Sequence, residues 1–254
     1  MSTRRSRLAF LPVVLLLALV LVPAGGAASA ARAQITVYAA ASLTDVFPAI
    51  DPNEKYSFGG SNALAAQIAQ GAPADVFASA NMALPTQLFE QNLCSKPIVF
   101  TRNKLVIVVP KSNPAHLHNI YDLTKPGVKI DIAAKGVPVG NYTLQILKNM
   151  NLTNAVLANV VSQETDVREV LAKVALGEAD AGFVYSTDAK TVPGRVTVIK
   201  VPAWAQPKVQ YGICVVARSG DQADGQTFIK RVLSKAGQKK LIKFGFLRRV
   251  KKKH

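Results

Sequence analysis

Beyond residue 33, short apolar runs alternate with stretches whose apolar positions recur at helical spacing. "QITVYAAA" (34–41) predicts a buried strand, followed by a helix from about Ser42 to Ile50. "KYSF" (55–58) predicts a second strand, with a helix from about Asn62 to Gln70, and "ADVFAS" (74–79) a third strand. "NKLVIVVPK" (103–111) is long, β-branched and closed by Pro110; "KIDIAA" (129–134) precedes a helix from about Asn141 to Asn149. In "VREVLAKVALGE" the residues Val167, Val170, Leu171 and Val174 share one helical face, and Gly177 ends it before the strand "DAGFVY". "RVTVIKV" and "YGICVVA" are further strands, and residues 225–246 close the chain as helix. Strands alternating with helices predict an α/β fold with largely parallel sheet and helices on both faces.

The first residues stand apart from this pattern. Arg4, Arg5 and Arg7 precede an almost wholly apolar stretch from Leu8 to Val22, and small residues with Ala-x-Ala spacing follow. That combination predicts a secretory signal over 1–33, by ordinary secretion more than by twin-arginine export; a retained anchor is the alternative. Cleavage near Ala33 leaves about 220 residues, enough for one large domain or two lobes. The long strands at 103–111 and 211–217 suggest the division: 34–108 with 209–254 as one lobe, 109–208 as the other, a ligand cleft between them.

Composition narrows the chemistry. The formal net charge is +16, part of it in the leader and much of it at the C-terminal end, Lys239 to Lys253. A basic balance favours anionic partners. Nucleic acid is disfavoured, because aromatic residues are not interleaved with the basic ones. The tail reads as a solvated end, with contact to anionic lipid or cell wall as the sharper alternative. Cys214 lies in an apolar run and reads as a buried strand residue; a bridge to Cys94 is the open alternative in an oxidising compartment. His116 and His118 lack a third ligand and read as loop residues, so no metal site is expected. The sequons at Asn141 and Asn151 carry no weight alone.

The strand-to-helix junctions carry the candidate function. In "YAAASLTDVF" a strand runs into Ser42, and in "SFGGSNALAAQI" into Ser61 after two glycines. A hydroxyl and unpaired N–H groups at a helix start welcome an anion. Each serine also has a structural explanation as a cap. "GVPVGNY" exposes amides near Val139, "ETDVREVL" puts Val167 in the first turn of its helix, and "AGFVY" ends a strand at Tyr185. No cation accompanies the Ser61 stretch. Neutral donors alone hold an anion by many charge-assisted bonds and leave it free to be released.

"VYAAASLTDVF", "YSFGGSNALAAQIAQGAPADVFASAN", "NKLVIVVPK", "VPVGNY", "TDVREVLAKVALGEADAGFVYSTDA" and "KKLIKFGF" together resemble the periplasmic molybdate-binding proteins of ABC importers, from about Ile35 to Phe246. The resemblance implies a two-lobed type II periplasmic-binding fold, with two mixed or parallel sheets flanked by helices, closing on molybdate or tungstate. It also implies the ligand set: the hydroxyls of Ser42, Ser61 and Tyr185 and the main-chain amides of Val139 and Val167, with no direct cation ligand and no cofactor. Asn62 stands where many members carry serine, Val139 where many carry alanine, and the stretch from Ile50 to Tyr56 is short for the family, which shortens the first helix.

The expectation is therefore a monomeric extracytoplasmic, periplasmic or cell-surface carrier that delivers the oxyanion to a membrane ABC permease. A sulfate or phosphate carrier of the same fold is the nearer alternative, and Asp45 and Asp166 are the acceptors a protonated phosphate would use. A serine-dependent hydrolase is the remoter one, since no histidine or lysine accompanies either serine in its motif.

Overall fold

β-branched and aromatic runs become strands, and glycine, serine and proline mark the turns into helices. In the computed structural model residues 34–249 are described, all within one unit; the expected leader at 1–33 and the lysines at 251–253 lie outside the described residues. The strands are β1 (Thr36–Ala40), β2 (Lys55–Gly59), β3 (Val76–Ser79), β4 (Ile98–Asn103), β5 (Leu105–Pro110), β6 (Ile130–Ala133), β7 (Val160–Glu164), β8 (Ala181–Tyr185), β9 (Val196–Lys200) and β10 (Val209–Val215). The helices are α1 (Val46–Ile50), α2 (Ser61–Ala69), α3 (Ala83–Glu90), α4 (Pro138–Asn149), α5 (Thr153–Leu157), α6 (Val167–Leu176), α7 (Gln222–Leu233) and α8 (Lys235–Lys243).

The strands form two five-stranded sheets, ordered β2-β1-β3-β10-β4 and β7-β6-β8-β5-β9. Within the first, β1 runs parallel to β2 and β3 while β10 is antiparallel to β3 and β4. The second repeats the scheme: β6 is parallel to β7 and β8, and β5 antiparallel to β8 and β9. The alternation of strands and helices alone predicted largely parallel sheet; both sheets are mixed, as the resemblance allowed. The reason is the route of the chain. A parallel neighbour needs a crossover, usually a helix, whereas β5 and β10 are reached directly from the other sheet.

These crossings fall at Lys104, between β4 and β5, and over 201–208, between β9 and β10. The division expected at 108/109 cuts through β5, which lies wholly in the second sheet. Polar side chains knot the crossings. Asn103 donates to Thr187 Oγ1 (2.9 Å) and Tyr211 Oη (3.3 Å), and its Oδ1 accepts from Lys104 N and Ser186 Oγ. Gln206 accepts from Leu105 N (3.1 Å) and donates to Leu105 O (2.7 Å), fastening the second crossing to the first residue of β5 as a strand partner would.

The main core is continuous, from Val37, Phe47 and Phe100 beside the first sheet to Ile107, Val170 and Phe183 beside the second. A smaller cluster of Leu64, Phe77 and Leu88 surrounds a disulfide between Cys94 and Cys214, whose Cα atoms are 6.0 Å apart. Cys214 is thus buried as expected and also bridged, because Cys94 meets Val216 in an isolated β-bridge at the end of β10. The single helix expected over 225–246 is two, broken at extended Ser234 (φ −63°, ψ 163°), whose hydroxyl caps α8 by accepting from Gly237 N.

Candidate functional site

Ser42, Ser61, Val139, Val167 and Tyr185 line one cavity of about 10 Å³. Each is almost fully buried. Three come with the second sheet, two with the first, so the cavity lies between the sheets. No lysine or arginine lines it. Among the described residues no group of three or more histidine, cysteine or acidic side chains is placed to hold a metal ion.

Each half builds its share with a strand end and a helix start. Ser42 sits in a 3-10 turn, Ala41–Leu43, directly after β1; the first full helix is the short α1, as the shortened segment before Tyr56 implied. Ser61 is the first residue of α2, following Gly60, and Ala80 N donates to its hydroxyl oxygen (3.1 Å). In the second half α4 begins at Pro138, three residues before the expected start, which places Val139 in its first turn. Proline there has no N–H to satisfy, and Gly140 lets the turn press on β6, where a side-chain carbon would stand 2.4 Å from the carbonyl oxygens of Ala133 and Ala134. Asp166 caps α6, accepting from Arg168 N (2.6 Å) and Glu169 N (3.2 Å). The cap thus takes the second and third amides of the helix and leaves that of Val167 to the cavity side.

The hydroxyls are arranged as donors. Asn103 donates to Tyr211 Oη, and Tyr211 Oη is 2.9 Å from Ser42 Oγ. The Asn103 amide and the two hydroxyls thus form one hydrogen-bonded chain; when Tyr211 donates to Ser42, the Ser42 proton is left for the cavity. The Ser61 oxygen likewise accepts from Ala80 N, so its proton also points to spare. Tyr185 Oη is buried without a hydrogen-bond partner; Tyr211 packs edge-on against the ring at 5.6 Å without closing a bond to it. Burial, with the Tyr211 hydroxyl beside it, holds the Tyr185 hydroxyl well above its ordinary pKa, so it stays protonated as a donor.

Tyr211, Asn103 and Ala80 N were not singled out in the sequence. Tyr211 opens a run legible only as strand, and its tie to Ser42 spans 169 residues. Asn62 does not line the cavity; it faces a groove with Leu84 and Gln87. Asp45 is engaged by Arg168 Nη2 (2.5 Å), and Arg168 Nε also bonds Asp188 Oδ1 (2.9 Å). Two lone-site alternatives lose support. His116 and His118 are in the exposed loop before Ile120, away from the cavity, and neither serine has a histidine or lysine within hydrogen-bond reach to act as base.

A family model described as bacterial extracellular solute-binding protein matches residues 35–247. The molybdate-binding protein ModA of Mycobacterium tuberculosis is 36% identical over 222 residues, covering 84% of each chain. The molybdate-binding protein ModA of Haemophilus influenzae is 35% identical over 240 residues, 87% of this chain and 92% of that one. Among solved structures, the substrate-binding domain of a putative molybdenum ABC transporter from Clostridium difficile is 30% identical with a TM-score of 0.62, covering 85% of this chain and 99% of that chain.

Proposed function

The chain belongs to the bacterial extracellular solute-binding proteins, and from that premise we propose that it captures molybdate or tungstate between its two sheets and hands it to a membrane ABC permease. The observation that carries the reading is the convergence of Ser42, Ser61, Val139, Val167 and Tyr185 on one small cavity without a cation. So small a cavity leaves no room for an organic anion. Each charge-assisted bond contributes about 1.5–3 kcal/mol. Several together offset the cost of desolvating a dianion and still leave it releasable, as a carrier requires.

Neutral hydroxyl and amide donors suit a fully deprotonated oxyanion. A protonated phosphate needs an acceptor as well. Asp45 is committed to Arg168; Asp166 lines the cavity, with Oδ1 taken by its own helix cap and its other oxygen the acceptor a protonated phosphate would use. Relatives named as molybdate-binding support the choice of molybdenum oxyanion; tungstate, with the same charge and shape, belongs to the same reading. The chain acts outside the cytoplasm, as its family does, after loss of the 1–33 leader, and the disulfide fits that oxidising surrounding. It works as a monomer, a binder and not an enzyme.

Replacing Ser42 or Ser61 by alanine removes one donor and also breaks a buried bond, to Tyr211 or from Ala80 N. Each variant is expected to weaken molybdate binding by about 1–3 kcal/mol, with unchanged circular dichroism and a lowered urea midpoint. Wild-type affinity in both variants would refute the assignment of the cavity.

A further inference from the structure

We propose that Arg168, the residue after Val167, is a latch between the two halves: it acts with Asp45 to hold the anion in and does not touch the anion itself. The inference rests on the carrier reading for its purpose and on geometry alone for its existence. Arg168 leaves α6 and splits its guanidinium between two carboxylates. Nε bonds Asp188 Oδ1 (2.9 Å), in the turn after β8, and Nη1 lies 3.4 Å from Thr191 Oγ1. Both partners belong to the second half, so this side of the fork is fixed within one body. Nη2 reaches Asp45 Oδ2 (2.5 Å), on the turn into α1 in the first half.

The positions explain the pairing. Asp45 is three residues beyond Ser42, and Arg168 one beyond Val167. Bringing Ser42 and Val167 to a common anion therefore brings the carboxylate to the guanidinium. Any opening that separates the donors also parts the pair. Asp188 is fully buried and pre-orients the fork, which reduces the rotamer freedom lost when Asp45 is gripped. The guanidinium is engaged on both sides and does not line the small cavity, so it does not bond the anion itself. Its effect on binding is then mechanical, not a direct attraction.

Location adds the direction of that effect. Asp45 and Arg168 line a second cavity of about 300 Å³, with Thr187, Lys190 and Lys243, and Ser42 lines both cavities. The ion pair stands where they meet. Breaking it opens the side of the small cavity next to Ser42, so release quickens more than capture slows. The pair is partly exposed, with Arg168 at 25% and Asp45 at 43% of side-chain area accessible, so the effect is modest.

The test uses Asp45→Asn, which leaves α6, its cap and Asp188 intact, and Asp45→Glu, which keeps the charge. Chase of bound radiolabelled molybdate is expected to show release about three- to fivefold faster in Asp45→Asn. Association stays within about twofold of wild type, the molybdate-to-tungstate preference is unchanged, and Asp45→Glu recovers part of the slow release. Hydrogen exchange on the ligand-free protein reads the latch without any anion: amides at 59–62 and 165–168 should exchange faster in Asp45→Asn than in wild type. Unchanged exchange at both segments would overturn the latch whether or not molybdate binds. Slower association with unchanged release would also overturn it, by making Asp45 part of the capture path. If the wild type binds no molybdate, the carrier reading fails and the exchange experiment still judges the latch.

Discussion

Asp131 sits in β6, fully buried, with no hydrogen-bond partner on either carboxylate oxygen among the described residues. Burial first, then the neighbouring Glu164 carboxylate, pushes it up to about 7, although Lys173 opposes the shift. Lys173 itself is spent on Glu164 (2.6 Å) and Ser162. An acid whose pKa is raised by folding binds its proton more tightly in the native state. Its stabilising contribution is whole below the unfolded value and is lost as pH rises through the folded one. Thermal midpoints should therefore fall between about pH 4 and pH 7, the interval from the ordinary value to the raised one. Asp131→Asn should flatten the fall. An equally steep decline in that variant would assign it elsewhere, Asp188 being the next candidate, since its burial likewise raises it to about 7. Single residues were unevenly legible in the sequence. Ser61 announced itself by its glycine pair, yet Tyr211 and Arg168 act through partners more than a hundred residues away, and no local spacing encodes such pairs.

At the scale of elements, the turn into α2 and the turn into α6 meet closely. A side-chain carbon on Gly60 would stand 2.3 Å from the carbonyl oxygen of Thr165, in the opposite half. Gly60→Ala should leave each half folded and prevent the two turns from meeting. Molybdate affinity should drop at least tenfold, about 1.4 kcal/mol or more, with a larger radius of gyration by small-angle scattering in the presence of ligand. Unchanged affinity would mean the turns do not need this contact. The disulfide lies elsewhere, in the small cluster beneath α2 and α3, and closes a loop of 120 residues. Replacing both Cys94 and Cys214 by alanine should cost about 2–4 kcal/mol in urea denaturation and leave anion affinity as it was. Elements with β-branched or helical-period patterns were legible: β1, β5, β8, α6. The edge strands β4 and β7, "IVFTRN" and "VVSQE", were not, because their outward positions are polar or exposed and blur the apolar run. Strand direction was not legible either, since β5 and β10 owe their antiparallel pairing to the crossings and not to composition.

For the whole molecule, two sheets are joined at Lys104 and over 201–208, and the polar knot there, Asn103, also reaches Ser42 through Tyr211. On the proposed reading these crossings would act as the hinge, and an anion bonded to donors of both halves would select the closed arrangement. The excess of lysine and arginine in the chain draws anions toward the molecule, while the cavity itself offers only neutral donors. Attraction and discrimination are thereby assigned to different parts: charge outside, geometry inside. The most direct test is calorimetric titration of the purified protein beginning at residue 34 with molybdate, tungstate, sulfate and phosphate in a buffer without competing oxyanions. Tight binding of one molybdate or tungstate per chain is expected, with sulfate and phosphate silent. Binding of sulfate or phosphate with molybdate silent, or no heat from any of the four, would contradict it.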